Sequence, residues 1–329
     1  MRKIILVIIL IGLISCKEEK PSKFSLTGKT YGIENGTKIY LDFKESLIDS
    51  TEVKSGAFYF QTKLPESPIK VRIYTKDFSE YRSLWLENNF MQFDASGTDF
   101  RRARVTGSES ENLSFSLYQK IDKLPREERQ KTEMKFVREN PNSIVSVYLL
   151  SFYSTTWGKE KTIDLFNYLS ENNKNSDYGR NILEFIKLNK NPKIGEQYVD
   201  FEMKDVNGES RRLSDFKNKI VLLEFWASNC GPCRQENPNL VKTYEEYNPK
   251  GFEVFAVSED TKKVNWLEAI KEDKLPWMQV SDLSRKNTAG MIYGINGIPD
   301  NFLISKEGII VGRNLRGELL NEKLKQMLE

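Results

Sequence analysis

The segment that most constrains this chain is Ile220 to Trp226, an apolar run of strand length, followed after a short gap by Cys230-Gly231-Pro232-Cys233. Branched and aromatic residues of that density suit a buried parallel strand. Ser228 and Asn229 can cap a helix, and Gly231 and Pro232 open a helical segment that continues through Glu236. Cys230 is thereby expected at a helix N-terminus, where free backbone N–H groups and the helix dipole favour a thiolate. Cys233 falls one turn later on the same face, within reach to resolve a mixed disulfide. The local pattern is that of a redox dithiol at a strand-to-helix junction.

The remaining cysteines and histidines narrow the chemistry. The 329 residues include three cysteines and no histidine. Histidine-based acid–base catalysis, Ser-His triads, haem attachment through Cys-x-x-Cys-His and His-ligated metals are excluded. Cys-x-x-Cys is also half of many zinc sites, but a structural zinc needs two more Cys or His ligands, and outside the pair the chain offers only Cys16. No metal and no cofactor are expected. Cys16 ends a signal-like N-terminus, with Arg2 and Lys3 as its basic region and Ile4 to Ile14 as its apolar stretch. That stretch is too short to span a bilayer. Leu13-Ile14-Ser15-Cys16 resembles the bacterial lipobox, which implies a mature chain that starts at Cys16 and is held to the lipid bilayer by acyl chains. The alternative is an export signal with an incidental cysteine. Either way the chain is directed to an oxidising compartment in which only Cys230 and Cys233 are left to pair. A net charge of +3 gives no reason to expect a nucleic-acid partner.

Organisation follows from composition shifts. Residues 1–15 read as the lipoprotein signal peptide and 16–23 as a polar, lipidated tether. Residues 24–106 read as a β-rich domain: Lys38–Asp42, Ala57–Thr62, Lys70–Tyr74, Tyr81–Leu86 and Phe90–Phe93 are short runs rich in branched and aromatic residues, separated by turns such as Asn35-Gly36 and Ser55-Gly56. Residues 107–190 carry helical spacing in Asn112–Lys123, Arg126–Asn140, Asn142–Tyr153, Thr162–Ser170 and Tyr178–Leu188 and read as a helical connector, serving either as packing or as a platform over the dithiol. In 191–329, candidate strands Val199–Met203, Ile220–Trp226, Phe252–Val257, Asn301–Ile304 and Ile309–Arg313 alternate with candidate helices Gly231–Tyr247, Lys262–Glu272, Ser284–Tyr293 and Gly317–Leu328. That order predicts an α/β domain with a mostly parallel sheet and helices on both faces.

Phe225-Trp226-Ala227-Ser228, Cys230-Gly231-Pro232-Cys233, Glu236 and Pro238 together resemble the thioredoxin superfamily, in particular its membrane-anchored thiol:disulfide oxidoreductases of the redoxin and cytochrome-maturation type. The resemblance covers 191–329, including a strand–helix unit after the Cys-bearing helix. It implies an α/β thioredoxin-like C-terminal domain, preceded here by a small β-rich domain and the helical connector. The β-rich part resembles an uncharacterised domain found before such redox domains, with Asp49-Ser50-Thr51 and Gly56-Ala57-Phe58 on its pattern.

The resemblance also implies roles by position. Cys230 would be the nucleophile and Cys233 the resolving thiol, cycling through a Cys230–Cys233 disulfide. Glu224 matches a buried acid that exchanges a proton with the resolving thiol, and burial should raise its pKa; the alternatives are an edge position facing water or an ion pair with a lysine. Glu236 matches an acid that tunes both thiols, although an exposed helical Glu is ordinary. Pro238 matches a helix-kinking proline. Ile298-Pro299 matches a loop with a cis-proline facing the dithiol, where Ile298 offers backbone groups to an extended substrate. Trp226, Asn229, Gly231 and Pro232 complete the expected substrate-facing set, with Trp226 shaping the pocket floor. Asn229 stands where the family usually has Trp, and Asp300 where it often has Thr, which would alter the surface charge beside the site.

Together with the export signal, the resemblance implies a cell-envelope enzyme, facing the periplasm, that reduces disulfides in exported proteins and is recharged by a membrane thiol electron donor. An oxidase or isomerase on the same fold is the alternative, as is a binding lipoprotein whose redox domain is auxiliary. A thiol peroxidase fits less well, because Ala227 replaces the threonine of such sites.

Overall fold

The computed structural model describes residues 23–44, 46–284 and 286–328. The 1–15 signal segment, Cys16 and the tether up to residue 22 lie outside the described residues. None of the described helices is long and apolar enough to cross a membrane. The chain divides into two compact units, one ending at Glu133 and the next beginning at Met134.

The first unit is built from eight strands: β1 (Phe24–Thr30), β2 (Lys38–Phe43), β3 (Ser46–Glu52), β4 (Ala57–Thr62), β5 (Ile69–Thr75), β6 (Tyr81–Leu86), β7 (Phe90–Ala95) and β8 (Arg104–Thr106). They form two four-stranded sheets, β4-β1-β7-β8 and β3-β2-β5-β6. Only the β1–β7 pair is parallel in the first sheet, with Ser25 opposite Phe90. Alternation sets the core: Ile69, Val71 and Ile73 point inward while Lys70, Arg72 and Tyr74 stay half-buried. Phe24, Leu26, Phe58 and Phe60 from one sheet join Ile39, Leu41, Val71 and Leu84 from the other in a single apolar cluster. Strands β1, β3 and β8 were not expected. In β1 the apolar pattern is broken by Gly28, which faces Phe58 in register; a Cβ there would lie 2.0 Å from the Phe58 ring, so the strand requires glycine. Strand β3 is a sheet edge with no buried residue, and its polar sequence suits that place.

Helix α1 (Glu109–Ile121) is capped by Ser108, whose hydroxyl accepts from the Glu111 amide at 3.0 Å. Glu111 is 4% exposed and turns toward β6, accepting from the Trp85 amide at 2.9 Å and pairing with Arg82. Helix α2 (Arg126–Glu139) spans the division between the units.

In the second unit, α3 (Ile144–Trp157), α4 (Lys159–Tyr168), α5 (Glu171–Lys174) and α6 (Asp177–Leu188) bury Val147, Leu150, Trp157, Leu165, Phe166 and Ile182 against one another. Ser143, Ser170 and Ser176 cap α3, α5 and α6. A short ribbon of β9 (Glu202–Lys204) and β10 (Ser210–Arg212) precedes β11 (Ile220–Trp226), α7 (Gly231–Tyr247), β12 (Phe252–Ser258), α8 (Lys263–Glu272), β13 (Met278–Val280), α9 (Thr288–Tyr293), β14 (Asp300–Ile304), β15 (Ile310–Arg313) and α10 (Gly317–Leu328). The five-stranded sheet has the order β13-β12-β11-β14-β15. β11, β12 and β13 are parallel, and β14 is antiparallel to both of its neighbours. Ile220, Leu222 and Trp226 meet Leu240 of α7, Trp266 of α8 and Leu324 of α10 on one face. Val221, Leu223 and Phe225 meet Ile292 and Tyr293 of α9 on the other.

Two expectations for this unit change. Of the strand expected at Val199–Met203, Glu202 and Met203 are extended, in the β9–β10 ribbon rather than the main sheet, while the N–H and C=O of Val199 bond instead to the Tyr293 hydroxyl at 3.1 and 2.8 Å. The helix expected from Ser284 begins at Thr288, where the Asn287 side chain caps it at 2.6 Å from the Gly290 amide.

Candidate active site

All seven residues of β11 are buried, as the central strand of a sheet covered on both faces requires. The strand ends where the Trp226 carbonyl accepts from the Glu259 amide, and a turn from Ala227 O to Cys230 N carries the chain into α7. Cys230 itself is the N-cap: its Sγ accepts from the Cys233 amide at 3.2 Å. Ser228 and Asn229 were expected to cap, but the Ser228 hydroxyl is committed elsewhere. Pro232 sits in the first turn, where its missing N–H leaves nothing unpaired. Cys230 and Cys233 form a disulfide with Cα atoms 5.2 Å apart. Cys230 is 9% exposed and Cys233 only 2%, so an incoming thiol or disulfide meets Cys230 first.

A polar frame that the sequence reading missed fixes this junction. Asp260, just beyond β12, accepts from both the amide and the hydroxyl of Ser228, at 2.9 and 2.5 Å, and from the Ser258 hydroxyl at 2.8 Å. The Ser228 carbonyl accepts from Arg234 at 3.1 Å. Arg234 in turn holds Asp273 in a two-point ion pair, and Asp273 also accepts from the buried Asn237 amide. All three polar groups of Ser228 are therefore held, two residues before the more accessible of the two cysteines. The one local hint was the acidic pair Glu259-Asp260 just after a largely apolar strand.

The acid expected beside the dithiol is central rather than at an edge. Glu224 is 8% exposed, on the face of β11 that carries Leu222 and Trp226 toward the cluster holding both cysteines. The cation that bears on it is an arginine and not the lysine considered from the sequence. Burial lifts its carboxyl to about 8; the Arg316 guanidinium and a hydrogen bond with Asn301 oppose that rise, while Asp300 and Glu236 add to it. Glu236, half-buried on α7, accepts from the Gly317 amide at 3.0 Å, so its carboxylate ties α7 to the start of α10. Asp300 corrects another expectation. It is 6% exposed and gripped by Arg313 at 3.1 and 2.6 Å, so it adds no free surface charge.

The Ile298–Pro299 peptide is cis. It leads into β14, whose first residue pairs with Phe225, so the loop lies at the end of β11 from which Cys230 departs. Ile298 packs against the cluster containing Cys230 and Cys233. Asn229, Gly231 and Pro232 are exposed around Cys230, and Pro299 is partly exposed. Trp226 is 2% exposed and donates to the Gln279 side chain at 3.0 Å, which makes it the floor of the site and not a contact surface. Pro238 lies inside α7. The arrangement can pass two electrons by opening and closing one S–S bond, with an acid buried on the same side of the sheet.

Comparison with known proteins agrees with this geometry. Residues 194–313 match the AhpC/TSA family, and residues 24–113 match a domain of unknown function, DUF4369. The chain is 31% identical over 136 residues to the thiol-disulfide oxidoreductase ResA of Bacillus thuringiensis subsp. konkukian, covering 41% of this chain and 77% of that protein. It is 33% identical over 136 residues to ResA of Geobacillus thermodenitrificans, covering 41% of this chain and 76% of that protein. Among solved structures, the thioredoxin domain of a thiol-disulfide oxidoreductase from Bacteroides vulgatus is 36% identical and covers 42% of this chain and 99% of that one, with a TM-score of 0.39. With a thioredoxin-like domain carrying the dithiol and three quarters of these ResA sequences matched, the chain belongs to the thioredoxin-superfamily thiol-disulfide oxidoreductases.

Proposed function

We propose that this protein reduces disulfides in exported proteins at the cell envelope, held to lipid through an acylated Cys16. The observation that carries the reading is the pairing of an accessible Cys230 with a shielded Cys233, in a disulfide at the start of α7, on the sheet face that buries Glu224. The Cys230 thiolate attacks a substrate disulfide and forms a mixed disulfide. Glu224 takes the proton from Cys233, whose thiolate then attacks Cys230 Sγ and releases the reduced substrate. Glu236 contributes charge beside that step. Ile298 and Pro299, with the exposed Asn229, Gly231 and Pro232, form the surface on which an extended substrate segment lies. A membrane thiol electron donor restores the dithiol. Gly-Pro between the cysteines favours a reductase over an oxidase or isomerase. The export segment and Leu13-Ile14-Ser15-Cys16 support a bilayer-anchored, periplasm-facing location.

The test is a pair of substitutions assayed by insulin reduction and by trapping. Cys230→Ser should abolish turnover, whereas Cys233→Ser should accumulate mixed disulfides with envelope proteins. Retained turnover in the first, or an empty trap in the second, would refute the reading.

A further inference from the structure

The side of the site that holds Glu224 contains a cation that the resolving step leaves unused. Five residues run from the end of β15 to the start of α10: Arg313, Asn314, Leu315, Arg316 and Gly317. Arg313 is spent on Asp300. The Asn314 amide donates to the Asn301 carbonyl at 3.0 Å. Leu315 makes two bonds with the Asn301 side chain, giving its N–H at 3.0 Å and receiving the Asn301 amide at 2.9 Å. Gly317 donates to Glu236. Asn301 is the residue directly opposite Glu224 in the β11–β14 pairing. The loop is thus pinned on both sides of Arg316, once to the cross-strand partner of Glu224 and once to Glu236 of α7.

Arg316 has little to do in this disulfide state. Among the described residues its one hydrogen bond is to the Asn314 side chain at 3.3 Å, and its Nε is buried with no acceptor. Such an N–H is costly unless another state of the molecule supplies a partner. The charged groups that bear on Glu224 are Arg316 from the loop, Asp300 from β14 and Glu236 from α7; Asn301 faces it as a neutral partner, and β12 places Ala256 beside it. Asp300 is neutralised by Arg313. Among the described residues, Arg316 is therefore the one cation bearing on Glu224 that no acid has already taken.

We propose that Arg316 is a positioning residue for the resolving step: it is held to receive the Glu224 carboxylate, and so keeps that acid able to accept the Cys233 proton. This rests on the reading of Glu224 as the proton acceptor. In the step, Cys233–SH and the Glu224 carboxylate become the Cys233 thiolate and a neutral Glu224. The thiolate then forms the bond to Cys230 Sγ, the bond from Cys230 to the substrate sulfur breaks, and the substrate leaves as a thiolate that takes its proton from solvent. Two electrons pass from the dithiol to the substrate disulfide. Arg316 touches none of the reacting atoms and acts through Glu224 alone.

The experiment treats the reduced protein with an aromatic nitrophenyl disulfide that releases a coloured thiolate. The first release reports attack by Cys230 and the second reports resolution by Cys233. Arg316→Gln should leave the first release unchanged. It should move the pH limb of the second release upward by about one unit or more, because an opposite charge beside a carboxyl lowers its pKa by about that much. Below the limb this is a slowing of about tenfold. Arg316→Lys should return most of the shift. In a Glu224→Gln background, Arg316→Gln should add nothing. An unmoved limb in Arg316→Gln, or an equal shift with Glu224 already removed, would overturn the inference about Arg316 while leaving Glu224 in place. A wild-type profile in Glu224→Gln alone would overturn the Glu224 reading instead. If Arg316→Gln does not fold, Arg316→Met, which keeps an apolar stem and removes the charge, carries the test, with the same upward shift expected and an unmoved limb overturning the proposal.

Discussion

Holding Glu224 in the apolar centre of a sheet should make this protein less stable as the pH rises through the neutral range, and replacing it with glutamine should remove that loss. The carboxyl moves from an ordinary value of 4.5 to about 8 in the folded state, chiefly through burial. Between those values the folded chain retains a proton that the unfolded chain has released, so stability falls with increasing pH and levels off above about 8. At about 1.4 kcal/mol for each tenfold, the interval bounds the effect at about 5 kcal/mol. About 2.5 kcal/mol of this falls between about pH 5 and about pH 7. At 8% exposure, solvent screening removes little of it. The assay is urea denaturation of the oxidised protein across that range, followed by fluorescence of the tryptophans, four of which (Trp157, Trp226, Trp266 and Trp277) lie in the second unit. Glu224→Gln should gain on the wild type steadily from acid to neutral pH and then run parallel to it. Parallel curves across the whole range would refute the claim that burial raises the pKa of Glu224 in the folded state.

Two further expectations concern the first unit. Arg82→Met leaves Glu111 buried without its closest cation and should cost about 3 kcal/mol or more, read as lost hydrogen-exchange protection of the β6 amides; unchanged protection would show that the pair does not anchor α1. Gly28→Ala places a methyl into the Phe58 ring and should cost about 1–3 kcal/mol in thermal or urea unfolding. Adding Phe58→Leu should return part of that loss, and a neutral Gly28→Ala would mean the strand yields more easily than the packing implies.

What the sequence made legible were the features encoded by neighbours. β11 and α7 begin and end where the apolar run and the Cys-Gly-Pro-Cys segment place them, because an all-buried strand and a Pro-opened helix are both local patterns. The alternating Phe58 and Phe60 likewise announced β4. The missed features depend on distant residues. β1 is hidden because its glycine is selected by a ring on another strand, and β3 because an edge needs no apolar alternation. Val199 looks like a strand residue until the Tyr293 hydroxyl takes its backbone groups. Around the dithiol, Glu224 stood out as an acid inside an apolar run, whereas Asp260, Arg234 and Arg316 look like ordinary surface charges. Their importance comes from what the fold brings to them: Ser228 for Asp260 and Arg234, and the Asn301 and Glu236 anchors around Arg316.

The most direct test of the central claim, that Cys230 and Cys233 form a reducing couple, is their reduction potential in the protein equilibrated against glutathione or thioredoxin. The account predicts a value near or below about −270 mV, where thioredoxin lies. A value well above the glutaredoxin range of about −200 to −230 mV would contradict a reductase and point to an oxidase or isomerase. Failure of the pair to cycle between dithiol and disulfide would contradict the redox assignment itself.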